Sequence, residues 1–352
     1  MELITRLRHE LHNSPEPSGN EIKTKSILMD FIKKNTSMEI ILCGQGFYAS
    51  HREKNSVKPA VAFRADYDAL MCSDGTAKHL CGHDGHAAAL CGVALQLEGK
   101  IFGRSIFLLF QPAEETGEGA KQCLSIFEKE QISEIYGAHN LPGYPLGQIL
   151  TRIDSFSCAS RGYTLHFIGK ATHAAYPENG ISPALAVGKL LYMLPILAHP
   201  DSYSGMILCT VAGAKMGEKA FGVAAAQAEI WLTLRAEYST DFDSLHNAVI
   251  GFAQELAETE GLEFYFETAD DFPSTENDPD CAKKILDLPN SALLPSPMRW
   301  SEDFGHYLKH CRGAFFGIGA GETGQPLHTE NYEYPDELLG PTIQVFKQLI
   351  SY

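Results

Sequence analysis

The sequence predicts an α/β protein in which an α/β/α domain is interrupted by a smaller α+β domain. In the first half, short apolar runs typical of buried strands alternate with segments of helical periodicity. Near residue 158 the pattern changes to the apolar–polar alternation of half-exposed strands, and after about residue 270 helices, apolar strands and Gly-rich turns return. We therefore expect one domain inserted between two parts of another, with boundaries at 1–157, 158–269 and 270–352.

The first part alternates helices with strands, which predicts a sheet covered on both faces. Polar side chains follow directly where its strands end, for example at Asp66 and after Gln111. Sites in open α/β sheets form outside the carboxyl ends of the strands, so these positions are candidates for chemistry. The predicted elements are helices at 1–12, 20–34, 85–97 and 118–130 and strands at 61–65, 105–110 and 134–138.

The middle part has the pattern of a small α+β unit, and the polar stretch 269–280 closes it. Its predicted elements are strands at 163–168, 206–212, 226–236 and 262–268 and helices at 182–197 and 241–259.

Composition narrows the class of protein. The net charge of -16 argues against nucleic acid and anionic membranes as partners. The N-terminal segment lacks the apolar core of a signal peptide, and no apolar run is long enough to span a bilayer. The nine cysteines are scattered without a Cys-x-x-Cys pair, which favours reduced thiols and a cytoplasmic location.

The most informative segment is His-Leu-Cys-Gly-His-Asp-Gly-His at 79–86. Cys81 and His83 are two residues apart around Gly82, a spacing that lets both side chains reach one region. Thiolate, imidazole and carboxylate groups bind borderline divalent metals. Taken alone, the pair fits a buried cysteine and a surface histidine slightly better. With Glu114, Glu115 and His139 further along the chain, a metal site becomes the better interpretation.

Glu114 and Glu115 are adjacent, so their side chains point in different directions. One can bind a metal while the other serves as a base towards a water molecule, which is the division of labour in a metal-dependent hydrolase. The alternative is a solvated acidic pair at the start of a helix.

Other candidates have weaker local signals. Asp66 either orients a metal ligand from outside the coordination sphere or ends its strand in a turn. Asp84 is expected to be the N-cap of the helix that follows. His328, His173 and Arg235 look like surface residues from local sequence alone.

Together these segments resemble the amidohydrolase branch of the aminoacylase/carboxypeptidase-G superfamily of metallohydrolases, which includes hippurate hydrolases, N-acetyldiaminopimelate deacetylases and plant auxin-conjugate hydrolases. The similar segments occur in family order over most of the chain. They are 8–12, 63–70, 81–86, 110–115, 137–139, 169–175, 301–304 and 326–328.

The resemblance implies two divalent metal ions per subunit (Zn, Mn, Co or Ni), with Glu114 as general base. It implies a catalytic domain interrupted by a dimerisation or lid domain, and a homodimer formed through the inserted domain. It further implies that His173 stabilises the oxyanion in the partner subunit's active site and that Arg235 binds the substrate carboxylate. The metal ligands implied are Cys81, His83, Glu115, His139 and His328.

Two features depart from the family pattern. The stretch 220–227 lacks the usual Asn, and Trp231 stands where a small residue is common. The expected activity is hydrolysis of the amide bond of N-acyl amino acids, such as acetyl or benzoyl derivatives, to a carboxylic acid and an amino acid. The alternatives are a dipeptidase or carboxypeptidase with the same site, and a catalytically silent dimer that binds acyl-amino acids.

Overall fold

The computed structural model describes all residues, 1–352. The helices are α1 Glu2–His12, α2 Ile22–Asn35, α3 His83–Leu97, α4 Gly119–Cys123, α5 Ser125–Lys129, α6 Ala184–Leu197, α7 Ser239–Glu260, α8 Pro279–Leu286, α9 Gly305–Leu308 and α10 Leu339–Ser351. The strands are β1 Glu39–Cys43, β2 Gly46–His51, β3 Ala60–Asp66, β4 Leu70–Met71, β5 Ala77–Lys78, β6 Ile106–Gln111, β7 Ile132–Leu141, β8 Ile149–Thr151, β9 Ser155–Ser157, β10 Ala159–Ile168, β11 Thr172–His173, β12 Ile207–Met216, β13 Val223–Ala224, β14 Gln227–Ala236, β15 Glu263–Phe272, β16 Thr275–Glu276, β17 Ser291–Leu293 and β18 Arg312–Gly319.

The chain forms two compact units. Unit 1 contains residues 1–156, 275–297 and 302–352, and unit 2 contains residues 157–274 and 298–301. No helix is both long and apolar enough to cross a membrane.

Unit 1 is built on an eight-stranded sheet of order β1-β2-β6-β3-β7-β18-β8-β17. The four central strands, β6, β3, β7 and β18, are parallel to their neighbours within that set. They are almost completely buried, as expected for parallel strands covered on both faces. Their carboxyl ends therefore meet at one edge of the sheet.

Helices cover both faces of this sheet. Successive side chains of a strand point to opposite faces. On β18, Phe316 packs against Phe346 of α10, with ring centroids 5.9 Å apart. Its neighbour Phe315 packs against Phe304, just before α9, at 4.9 Å. The arrangement is an α/β/α sandwich.

Unit 2 is a four-stranded antiparallel sheet of order β12-β14-β10-β15, with α6 and α7 packed together against it. Buried and more exposed side chains alternate along β14, which explains how the helices pack on one face of the sheet. Ile230, Leu232 and Leu234 are buried in the core with the two helices, whereas Trp231 points to the other face and is 40% exposed.

Two sequence expectations differ from the structure. The expected helix 118–130 is divided into α4 and α5 at Leu124, which keeps helical angles. A hydrogen bond from Phe127 N to Leu124 O tightens that turn. The expectation that Asp84 is an N-cap is wrong, because α3 begins at His83 with Gly82 as its N-cap residue.

Candidate metal centre

The turn into α3 brings Cys81 and His83 towards one region. Gly82 between them has φ 95°, in the left-handed region that glycine adopts most readily. A Cβ atom here would lie 2.6 Å from Asn140 Oδ1. That amide is held by His86 and Tyr332 and has little room to move. Both backbone angle and space therefore require glycine at this position.

The structure brings six of the expected site residues together in unit 1. Cys81 Sγ lies 3.3 Å from both His139 Nε2 and His328 Nε2. Glu115 Oε1 lies 3.7 Å from His328 Nε2 and 3.8 Å from His83 Nε2. Three overlapping groups have ligand atoms within 4.8 Å of one another: Cys81, His83 and His139; Cys81, Glu115 and His328; and His83, Glu114 and Glu115.

The donor atoms of this cluster fit divalent cations. His83 Nε2 and Glu115 Oε1 are buried and have no hydrogen-bond partner, although buried polar atoms are normally paired. Thiolate, imidazole and carboxylate are suitable ligands for borderline metals. Cys81, His83, Glu115, His139 and His328 are the residues that would hold such ions.

Electrostatics of the cluster favour a bound cation. Burial raises the pKa of Glu115 to about 7. Burial, then the charges of Glu302 and Glu115, raise the pKa of Glu114 well above its usual range. Burial alone would lower the pKa of His83. The negative charges of Asp66 and Cys81 outweigh this effect and raise the pKa of His83 well above its usual value. Several acidic groups thus share one buried region, where positive charge would stabilise their ionised forms.

Asp68 contacts two of the candidate ligands, His83 and Glu115. Its Oδ1 accepts a hydrogen bond from His83 Nδ1 at 2.9 Å, and its Oδ2 accepts from the backbone N–H of Glu115 at 3.0 Å. A carboxylate on the second nitrogen fixes the ring so that the first faces the metal. Sequence reasoning missed Asp68, although it lies two residues beyond the singled-out Asp66.

Asp66 ends β3 and is fully buried. Its Oδ1 lies 2.6 Å from His86 Nδ1, and its Oδ2 accepts from Arg64 Nη1 at 2.6 Å and lies 3.8 Å from His83 Nε2. Arg64 also donates to Glu302 at 2.8 Å and Asp303 at 2.9 Å. This buried ion network was not expected, because no local sequence pattern connects positions so far apart in the chain.

Two segments that carry candidate ligands have unusual backbone conformations. Ala113, immediately before Glu114, has φ 50°, and His328 has φ 63°, both in the left-handed region that side chains other than glycine seldom adopt. Ala113 N donates to Glu21 Oε1 at 2.8 Å, and His328 N donates to Leu80 O at 2.8 Å. Such outliers concentrate at functional sites and persist where their surroundings hold them.

His173 and Arg235 belong to unit 2. His173 lies on β11, is exposed, and its Nδ1 accepts from Ala175 N at 3.0 Å. Arg235, on β14, donates from Nη1 to Arg299 O and Ser301 Oγ, both at 3.0 Å.

Comparison with known proteins assigns the family. Residues 62–352 match the model of peptidase family M20/M25/M40. An N-acetyldiaminopimelate deacetylase from Exiguobacterium sibiricum is 27% identical, with 96% of this chain and 95% of the relative covered. An N-acetyl-L-cysteine deacetylase from Bacillus subtilis is 28% identical, covering 89% of this chain and 79% of the relative. A hippurate hydrolase from Campylobacter jejuni is 25% identical, with 98% of this chain and 94% of the relative covered.

Solved structures show the same fold. A putative aminohydrolase from methicillin-resistant Staphylococcus aureus superposes with a TM-score of 0.89 at 22% identity, covering 99% of this chain and 96% of that one. A dinuclear metal-binding peptidase of the M20 family from Bacillus subtilis superposes with a TM-score of 0.83 at 23% identity, covering 99% of this chain and 97% of that one. The fold class and the family resemblance predicted from the sequence are both confirmed. The chain belongs to peptidase family M20/M25/M40.

Proposed function

We propose that this protein is a metal-dependent amidohydrolase that cleaves the amide bond of N-acyl amino acids and releases a carboxylic acid and an amino acid. The observation that carries the proposal is the buried Glu114 beside a compact set of thiol, imidazole and carboxylate ligands. The names of the relatives, which include two deacetylases and a hippurate hydrolase, support this substrate class.

We assign roles to the residues from the family resemblance, and their positions in the cluster support these roles. Cys81, His83, Glu115, His139 and His328 would hold two divalent metal ions, as the dinuclear relative suggests. Ions bound there would act as Lewis acids that polarise the scissile carbonyl and lower the pKa of water. Zn, Mn, Co and Ni all suit these ligands.

Glu114 is the general base. Its Oε2 lies 3.9 Å from His83 Nε2, so it borders the ligand set. It takes a proton from the attacking water and returns that proton to the leaving nitrogen, so that the amide C–N bond breaks to give an acid and an amine. Burial raises its pKa, and bound cations would oppose that shift and favour the ionised carboxylate that accepts a proton.

Unit 2 provides substrate contacts in this proposal. Arg235 binds the carboxylate of the acyl-amino acid through its fork of N–H donors. His173 stabilises the developing oxyanion from a second subunit, which requires a homodimer. The anchoring of Arg235 by Arg299 and Ser301 supports the first role, and the exposure of His173 is compatible with the second.

The proposed dimer uses the edge of unit 2 formed by β12 and α6. β12 is an edge strand, and α6 exposes Leu185, Tyr192 and Ile196, with Tyr192 75% exposed. Unpaired edges and exposed apolar side chains together favour association with a second copy. Tyr192→Glu should give a monomer by light scattering coupled to size exclusion. Tyr265→Glu, on the opposite edge strand β15, should leave the dimer intact.

A cytoplasmic location also belongs to the proposal. All nine cysteines are free thiols in the structure, and such thiols persist in reducing compartments.

The decisive experiment is a substrate panel on the metal-reconstituted protein, with acetyl- and benzoyl-amino acids beside dipeptides. We expect hydrolysis of acyl-amino acids, with Glu114→Gln retaining metal and losing about 10²–10⁴ in rate. The control Glu118→Gln, at an exposed neighbouring carboxylate, should keep full activity. Cleavage of dipeptides alone would favour the peptidase, and full metal occupancy without turnover on any amide would favour the silent binding protein.

A further inference from the structure

Helix α1 contacts the metal-ligand segment, although it contributes no ligand. His12 Nδ1 lies 2.8 Å from Asp84 Oδ2, and Arg8 Nη1 lies 3.7 Å from the same oxygen. Asp84 directly follows the ligand His83 and is completely buried in the first turn of α3. Because Asp84 accepts through a carboxylate, His12 must carry its proton on Nδ1 for this hydrogen bond.

His12 also contacts the other side of the same segment. Its ring stacks on that of His79, with centroids 6.2 Å apart and planes inclined by 29°. His79 is buried and lies two residues before the ligand Cys81. One side chain of α1 thus touches residues on both sides of the Cys81–His83 turn.

The same helix contacts the segment that follows His328. Arg8 donates from Nε to Asp336 Oδ1 at 2.8 Å, and His9 Nε2 lies 2.7 Å from Asp336 Oδ2. Asp336 begins the short helical turn that leads into α10. One helix therefore contacts both the turn that bears Cys81 and His83 and the segment that follows His328.

We propose that His12 is a positioning residue for the metal centre, which acts by holding Asp84 and His79 and so fixes the turn that presents Cys81 and His83. The inference rests on the proposed metal site. The orientation of ligands by residues outside the coordination sphere typically changes metal affinity about 10–100-fold. A residue with a purely structural role would instead change the stability of the metal-free protein without changing its affinity for metal.

Two substitutions at His12 distinguish the effect of the hydrogen bond to Asp84 from the effect of having any polar side chain at this position. In His12→Asn the amide nitrogen takes the place of Nδ1, so the hydrogen bond to Asp84 is retained. In His12→Gln the amide nitrogen lies near the place of Nε2, so that bond is lost. His9→Ala is the control, because half-exposed His9 contacts Asp336 and not Asp84.

The test measures the dissociation constant of Co²⁺ for the metal-free full-length protein, by competition with a chromophoric chelator. We expect His12→Gln to weaken binding about 10–100-fold and to shift the visible Co²⁺–thiolate absorption. His12→Asn and His9→Ala should stay within about threefold of wild type, and thermal unfolding of the metal-free proteins should be similar. Equal affinity and an unchanged spectrum in His12→Gln would overturn the proposal.

Two further outcomes are informative. If His12→Gln does not fold, Asp84→Ala takes its place, because it removes the oxygen that accepts from His12. Wild-type affinity in that variant overturns the proposal. If the wild-type protein itself binds no Co²⁺, the proposed metal centre fails. Tight binding by wild type and His12→Gln alike overturns only the role of His12.

Discussion

His83 and Asp68 form a hydrogen bond of 2.9 Å between the ring Nδ1 and the carboxylate Oδ1. The bond leaves Nε2 of His83 facing Glu114 and Glu115, at 3.9 and 3.8 Å, as the only nitrogen of that ring able to bind a metal. The same carboxylate accepts the backbone N–H of Glu115 at 3.0 Å. One aspartate therefore holds the ring of one candidate ligand, His83, and the backbone of another, Glu115.

Asp68→Ala is expected to weaken metal binding about 10–100-fold, because His83 loses the acceptor that fixes its ring. Asp68→Asn keeps an oxygen that can accept from His83, so its affinity for metal should fall by a smaller factor. The measurement is chelator competition with the metal-free protein. Ser18→Ala removes only the hydroxyl that donates to Asp68 Oδ2 at 2.7 Å and serves as control. Equal affinities for wild type and Asp68→Ala would contradict this role.

Gly82→Ala is expected to destabilise the protein and disturb the metal site. A left-handed backbone costs a non-glycine residue roughly 1–2 kcal/mol, and the Cβ contact with Asn140 adds to this. Gly143→Ala is the matched control, since Gly143 has φ 89° and no atom within 4 Å of its added Cβ. Urea denaturation should show the larger loss for Gly82→Ala. Equal losses would mean that the Asn140 contact relaxes without cost.

Arg64→Met should be among the most destabilising single changes in unit 1. Arg64 is 1% exposed and is paired with Asp66, Glu302 and Asp303, so its removal leaves buried carboxylates without their cation. Breaking buried ion pairs in this way costs roughly 3–5 kcal/mol. Arg312→Met, which removes a half-exposed cation, should cost less than about 1 kcal/mol in the same urea denaturation. A similar loss in both would be inconsistent with the network.

Asp278 is expected to make stability depend on pH in the acid range. Its hydrogen bonds with Arg312 lower its pKa to about 2, and it also caps α8 by accepting from Asp280 N and Cys281 N. A carboxylate with a lowered pKa stabilises the fold above its unfolded value near 3.9, and this contribution disappears as pH falls through about 2.

The variants Asp278→Ala and Asp278→Asn test this pH dependence. At pH 6, Asp278→Ala should cost about 0.5–2 kcal/mol through loss of the cap, whereas Asp278→Asn keeps the cap acceptor and should cost less. Thermal unfolding from pH 6 to pH 2 should show the penalty of Asp278→Asn shrinking. A constant penalty would refute the pH argument.

Local patterns explain which parts of the molecule could be predicted. The apolar runs of β3 and β6 and the Ala-rich α3 were predicted within a few residues, because buried parallel strands and buried helices have strong signals. Cys81 with His83, and Glu114 with Glu115, stood out because each pair lies close together in sequence.

Other features had no local signal. β1 and β2 were missed, since β1 has a mixed pattern of exposed and half-buried residues that matches neither period clearly. The pairing of Arg64 with Glu302 joins distant segments, and only the folded sheet brings them together. The contact of His12 with Asp84 could not be predicted for the same reason, although the segment 8–12 is one of those that resemble the family.

The strand order of unit 1 has a consequence for how the protein is made. β18 lies between β7 and β8, yet the ribosome synthesises it only after the whole of unit 2. Until then the emerging chain carries β7 and β8 without the neighbour that joins them, and exposed strand edges of this kind invite pairing with other chains. His328 follows β18, so the nascent polypeptide acquires this candidate metal ligand only after unit 2 has been synthesised. A chain interrupted before β18 would therefore expose these strand edges and would lack one ligand of the proposed metal centre.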